Sequence, residues 1–456
     1  LNSAHHQSFS LPEHRQYRFS GKPVKDVKAY RLDWYEWIFV IMASAIPLEM
    51  YNVRLGLNWS LDRVLLGLLM IMLPLYWARI GSLPLFPLIL ALLGWFATTI
   101  SVASGAGLDS FALNIIPSIF QGYALFAVSV VVFANNPKAV KLAVIIGLVW
   151  FFIFSFFAVW MLYFYYVVGA RVVPLPFAGY VFDFDPHKLD QFSSQRLFMP
   201  FASAPHLGSV CGFLAIFFFV IYLYSRRLPS ILLCISFVGI AFLTLSRGPF
   251  LAIAICFGLL VILGGTFKVV RLDKRIFAIF FVALSAVVGL EGYKAFQQEQ
   301  TGRATAERLQ IDVEEIKYGR HLALRLYAFE LFAESNVAQV VFGQGFGAFL
   351  KTGVGAYSFA SYLTLMVESG LFGMAVFLTV LLYPIFKGWL AFQSTGRAQP
   401  LYFFAFTLGC YLFLSHSFYE LKSLGVLWVM SAQVWGMCLS KSSELVSAGE
   451  WIMQRR

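Results

Sequence analysis

Long apolar runs, interrupted by short polar breaks, fill most of this chain. A membrane-crossing helix needs roughly 20 predominantly apolar residues, with about 17 to 25 the usual range. On that basis candidate spans fall at 35–52, 62–79, 83–104, 111–134, 141–168, 203–225, 229–246, 248–267, 275–293, 359–385, 400–417 and 422–440. These runs are far longer than barrel strands and lack period-two alternation. The expected class is therefore all-α, a polytopic membrane protein with about 12 transmembrane helices. Pro47, Pro74, Pro117 and Pro384 lie inside these runs and predict kinks or local breaks.

The polar breaks sort into two kinds. Short basic connections hold Arg79; Lys138 and Lys141; Arg226 and Arg227; Lys268, Arg271, Lys274 and Arg275; and Lys387 and Arg397. The alternate connections are 53–61, 105–110, 169–202, the tight turn 246–248, 294–358 and 418–421. The positive-inside rule puts the first set in the cytoplasm with both termini, and the second set outside. The expected organisation is a cytoplasmic tail at 1–33, helices one to nine over 34–293 and a large outer loop at 294–358. Helices ten to twelve over 359–440 and a second cytoplasmic tail at 441–456 complete it. Trp34, Tyr35 and Trp37 mark an interfacial belt. The chain carries no visible inverted repeat of the kind that builds many transporters.

Composition agrees with this pattern. Of 456 residues, 60% are hydrophobic and 12% charged, with a mean hydropathy of +0.76; a soluble domain carries about 25% charged residues. The net charge of +11 sits mainly in loops flanking apolar runs, which fits anionic lipid headgroups and argues against nucleic acid. The five cysteines lie inside apolar runs without metal-ligand spacing, so neither a zinc site nor a disulfide framework is expected. No metal and no cofactor is expected.

Candidate chemistry gathers on the outer side. Arg196, in "SSQRLFMPFASAPHLG", precedes the sixth span and is either an anion-binding guanidinium or a snorkelling anchor. Arg247, in "LTLSRGPFLA", sits in a tight turn on the side that should avoid positive charge. An arginine near the membrane core costs at least about 2.5 to 3.5 kcal/mol, a cost usually offset by a partner or a role. The long polar loop carries "YGRHLALRLYAFE", expected to be helical to about Glu334. Its Arg320 and Arg325 stand about 500° apart around a helix and so do not share one face. Paired guanidinium donors suit phosphate, with an ion-paired surface helix as the plainer reading. His321 is a candidate base, with His206 and His416 as competitors.

The turn "FGQGFGAFLKTGVGA" contains Gly345 and Gly347, and glycines permit close backbone approach or a phosphate-cradling nest. A flexible re-entry into the membrane is the alternative. Glu368, in "SYLTLMVESGLFG", is an acid inside an apolar run and a functional candidate, with interhelical hydrogen bonding as its competing role.

Together "RLFMPFASAPHLG", "SRGPFLA", "YGRHLALRLYAFELFAESNVAQVVFGQGFGAF" and "SYLTLMVESGLFG" resemble the O-antigen ligase and polysaccharide polymerase superfamily of bacterial envelope enzymes, over residues 190–380. The resemblance implies an inner-membrane glycosyltransferase with a large periplasmic loop. Such enzymes transfer glycan from an undecaprenyl-pyrophosphate carrier to a saccharide acceptor without a metal or nucleotide sugar. It makes Arg196, Arg247 and Arg320 the groups that hold the pyrophosphate; Arg325, Gly345, Gly347, Tyr357 and Glu368 are the further candidates for substrate binding. Membrane lipids and a chain-length regulator protein are the further partners it suggests. Many relatives carry a His-Asn pair before "SYL", the histidine being the proposed base; here Phe359 and Ala360 stand there. His321, Glu368 or Tyr357 then substitutes, or the acceptor needs little deprotonation. The expected activity is polymerisation of lipid-linked repeats, with O-antigen ligation and glycan transport as alternatives.

Overall fold

The computed structural model describes residues 32–45, 61–80, 84–104, 110–136, 139, 142–143, 145–149, 151–153, 172–174, 181–183, 204–244, 246–266, 320–348, 361–394, 400–417 and 425–439. Most expected runs are helical there. The helices are α1 (Trp34–Ala45), α2 (Leu61–Ile80), α3 (Leu85–Ser104), α4 (Ser110–Asn135), α5 (Ala204–Ser225), α6 (Leu228–Leu243) and α7 (Arg247–Thr266). They continue with α8 (Arg320–Ala333), α9 (Val337–Phe342), α10 (Ser361–Ser394), α11 (Pro400–Ser417) and α12 (Gly425–Leu439). Only short helical pieces of the expected span 141–168 are described, and 275–293 lies outside the described residues. One small feature was not expected: β1 (Val172–Pro174) pairs antiparallel with β2 (Val181–Asp183), Val173 opposite Phe182.

Among the described residues, four stretches are long and apolar enough to cross a membrane: Leu85–Ala103, Pro205–Leu223, Gly248–Thr266 and Tyr362–Gln393. Val64–Ala78, Ile119–Asn135, Leu228–Leu243, Leu401–His416 and Gly425–Leu439 are shorter apolar helices. The exterior is apolar as well, with Ile71, Leu75, Leu92, Leu232, Ile262 and Phe386 all exposed. Water would not tolerate so extended an apolar surface, whereas lipid does. Inside, hydroxyls bond back to their own helix, as Thr98 does to the Gly94 carbonyl (2.7 Å) and Thr407 to that of Phe403 (3.0 Å). The protein is thus a membrane-embedded helical bundle.

Packing fixes the helix directions. Phe96 meets Phe372 and Phe86 meets Tyr383, so α3 and α10 are antiparallel. Gly122 lies against Trp428 and Gly436 against Phe133, which sets α4 parallel to α12; a side chain at either glycine would force the helices apart. Phe39 meets Phe133 and Glu36 meets Asn136, making α1 antiparallel to α4. Gly208 touches Pro249 and Phe219 touches Phe257, making α5 parallel to α7. Gly212 reaches both Ile253 and Tyr411 while Cys256 lies at Thr407, so α7 opposes α11. Phe392 meets Phe403 and Phe377 meets His416, so α11 opposes α10.

At the core, fully buried Trp435 donates to the Val380 carbonyl (2.7 Å) and stacks on Tyr383 at 4.3 Å. Near the start of α1, buried Glu36 accepts from the Tyr76 hydroxyl (2.8 Å), the Asn136 amide (2.6 Å) and the Asp33 backbone N–H (3.0 Å). One carboxylate therefore ties α1, α2 and the end of α4. Glu36→Ala would strand those donors and is expected to cost about 2 kcal/mol. Glu36→Gln, which keeps an accepting oxygen, is expected to lose less; thermal unfolding of the purified protein in detergent checks the order.

Candidate functional site

The site is built around a break in α10. Gly370 has φ 66° and ψ −173°, so the helical path is interrupted there. Tyr362 and Phe377 are 15 residues apart, about 22 Å along a straight helix, yet their rings lie 6.4 Å from each other. The first part of α10 therefore folds back across the end of α11, and the Tyr362 hydroxyl donates to the Phe413 carbonyl (2.5 Å). This differs from the expected tenth span at 359–385. The helix resumes after Gly370 and continues through Pro384 to Ser394, carrying Lys387 within it. The chain is redirected at a positive-φ glycine.

A broken helix leaves carbonyls without their intrahelical donors. The glycine turn supplies them. Gln344 N–H donates to the Val367 carbonyl (2.8 Å) and Gly345 N–H to the Glu368 carbonyl (3.1 Å). The Ser101 hydroxyl, from α3, also donates to the Glu368 carbonyl. Glu368 returns the contact: its Oε1 accepts the Gly347 N–H (2.9 Å) and its side chain is fully buried. Gly343, Gly345 and Gly347 all have φ between 83° and 94°, a region only glycine enters readily. The turn and the acid, separate candidates in the sequence, form one latch. The carboxylate binds main chain here, which is the interhelical hydrogen-bonding role in a different form.

The approach to this latch is equally ordered. α8 lays Leu324 and Ala328 on Val367, with Tyr327, Leu331, Phe332 and Leu363 around them. Asn336 caps α9 reciprocally with Gln339, by 2.9 and 3.1 Å bonds. The Gln344 side chain donates to the Leu331 carbonyl (2.8 Å) and the Ser335 hydroxyl (2.7 Å), closing the end of α8 onto the turn. Replacing Gln344 by Ala is expected to destabilise this assembly by about 1 to 2 kcal/mol, seen as faster amide hydrogen exchange across 331–347.

The predicted arginines fall as follows. Arg247 is the first residue of α7 and Arg320 the first of α8. The side chains of Arg247, Arg320 and His321 lie outside the described residues, as do Arg196 and Tyr357 entirely. The Arg247 turn packs on the start of α5: a Cβ at Gly208 would come within 2.9 Å of Thr244 Oγ1 and 3.1 Å of Pro249. Arg325 is half-buried on α8, beside Leu324 of the face that packs on α10. Its Nε is buried and takes no hydrogen bond among the described residues. His206 and His416 are buried in helices, the latter stacked on Phe377 at 5.6 Å with Nδ1 3.3 Å from the Ser415 hydroxyl.

The helix directions bring these parts to one end of the bundle. That end collects the finish of α3 with Ser101, the starts of α5 and α7, the elbow of α10, the finish of α11 and the start of α12. Arg226, Arg227 and Lys387 lie toward the other end. Ser101, Gln344 and Gly370 were not read from the sequence, whereas Gly343 belongs to the glycine turn singled out there; the one available signal was "ESG" within an apolar run. Among the described residues no cluster of His, Cys, Asp and Glu is arranged to hold a metal. No protein-family model matches this chain, and no curated protein matches it.

Proposed function

We propose that this protein is an inner-membrane glycosyltransferase. On this reading it polymerises undecaprenyl-pyrophosphate-linked oligosaccharide repeats at the periplasmic face. The observation that carries the reading is the gathering of the Arg247 turn, α8 with Arg320 and Arg325, and the Glu368 latch at one end of an apolar bundle. A buried guanidinium nitrogen without an acceptor among the described residues, at Arg325, suits an anionic ligand.

The helix directions support twelve spans and the orientation. With α1–α7 and α10–α12 each crossing, α4 and α5 both run parallel to α10, so the chain between them recrosses an odd number of times. The same holds between α7 and α10. One crossing in each interval, at 141–168 and 275–293, gives the twelve. The site end then lies opposite the basic loops, hence outside. On this reading the membrane-entering part of the tenth span is about 371–394, after the break at Gly370, with Glu368 at its outer mouth.

In this mechanism an acceptor hydroxyl oxygen attacks the anomeric carbon of the donor sugar as its bond to the pyrophosphate oxygen breaks. The leaving charge is held by Arg196, Arg247 and Arg320, preorganised donors of the kind that often supply the largest catalytic term. The hydroxyl proton goes to His321 or Tyr357, or to solvent after the carrier departs; Glu368, already holding Gly347, is the poorest of the three bases. The same face would serve O-antigen ligation, and the acceptor decides between them. Purified protein given donor with either lipid-linked repeats or lipid A core should extend the repeats. Transfer to core alone would replace the polymerase by a ligase, and passage of substrate across vesicles without new bonds would replace both by a transporter.

A further inference from the structure

The loop at 294–358 reads in the sequence as an aqueous outer segment, yet part of it exposes apolar side chains. The exposed face of α9 consists of Val337, Ala338 and Val341, with Val337 82% exposed. The two valines are four residues apart and lie on one side of the helix. The opposite side holds α9 to the elbow of α10, where a Cβ on Gly370 would overlap the Val341 carbonyl.

An unbroken aromatic path runs from there down the bundle. Phe342 meets Phe372 at 6.2 Å, and Phe372 meets Phe96 at 6.2 Å. Phe96 is 54% exposed in the middle of α3, a stretch long and apolar enough to cross the membrane. Leu371, beside the elbow, is also exposed, as are Ile89 and Leu92 farther along α3. The apolar face of α9 is therefore continuous with the outward face of α3 and α10. α8 repeats the pattern, exposing Leu326 and Phe329 beside Glu330 and turning Leu324 and Ala328 inward. Irregular backbone close to hydrocarbon is tolerated where its polar groups are satisfied by protein, and the glycine turn meets that condition through Val367 and Glu368.

We infer that α9 is seated on the acyl chains of the outer leaflet, so that phospholipid hydrocarbon is the partner of its Val337–Val341 face. The loop is thereby anchored at the membrane boundary, with the latch to Glu368 directly behind the anchor. This rests on α3 and α10 crossing the membrane and, for the leaflet, on the orientation in the proposed function; it is independent of any glycosyl-transfer chemistry.

The test is nitroxide accessibility in lipid nanodiscs, where both faces meet solvent. Single labels go at Val337→Cys and Val341→Cys, with Ile71→Cys on the outside of α2 as the bilayer reference and Arg227→Cys as the aqueous one. The five native cysteines are buried or half-buried, and the protein without an added cysteine gives their background. Collisions with oxygen should exceed those with a water-soluble nickel chelate at both valine positions, as at Ile71. If either valine label matches Arg227, the anchor does not exist. The readout requires no enzymatic activity, so an inactive protein leaves the result intact.

Discussion

Arg247→Ala is expected to reduce product formation by roughly 10²- to 10³-fold, the loss typical of removing one preorganised donor from a developing negative charge. Protein level and thermal stability should stay unchanged, because the electrostatic preferences at this position run against an arginine. Arg247 opens α7, and a cation at a helix N-terminus opposes the helix dipole. On the proposed orientation it also stands on the side that the positive-inside rule leaves poor in positive charge. On the proposed function a ligand accounts for a residue so placed against two electrostatic preferences, and neutralising it should relieve both. Arg247→Lys restores the charge without the planar paired donors and should recover only part of the activity. Retained activity in the alanine variant would remove Arg247 from the site.

The largest stability effect is expected at the glycines of the latch. Gly343 has φ 91°, and a Cβ there would overlap the backbone carbonyl of Glu368. Gly370 has φ 66°, and its Cβ would overlap the Val341 carbonyl. Neither obstacle is a side chain that can swing away. Gly343→Ala or Gly370→Ala should cost about 3 kcal/mol or more, combining left-handed strain with loss of the main-chain bonds. Gly258, within α7, has nothing within 4 Å of its Cβ position. Its alanine variant should be neutral or gain up to about 1 kcal/mol from helix propensity. Thermal unfolding in detergent, with the three variants side by side, separates a specific latch from a general intolerance of substitution.

What could be read in the sequence followed from local chemistry. Apolar length alone placed α2, α3, α4, α5 and α7 within about two residues of their observed ends. The Ser-Arg-Gly-Pro turn between α6 and α7 was equally clear, since Gly248 and Pro249 allow the next helix to start at once. The latch was not legible, because its members are distant: Gly347 lies 21 residues from Glu368 and Ser101 lies 267 residues away. Glu368 read as an acid within a span because Glu368-Ser369-Gly370 is too short a polar interruption to end an apolar run. The apolar run continues across it, and only a positive φ bends the path. Glu36 was missed for the same reason, with partners 40 and 100 residues off. Hydrophobicity is a local signal; main-chain pairing between distant turns is not.

The most direct test of the polymerase reading counts bonds. The reconstituted protein receives one defined undecaprenyl-pyrophosphate-linked repeat, without added metal or nucleotide sugar. Lipid-linked products are sized while released undecaprenyl pyrophosphate is measured. A polymerase yields a ladder of longer lipid-linked glycans with one carrier released for each new glycosidic bond. Unchanged donor, or carrier released without new bonds, would contradict it.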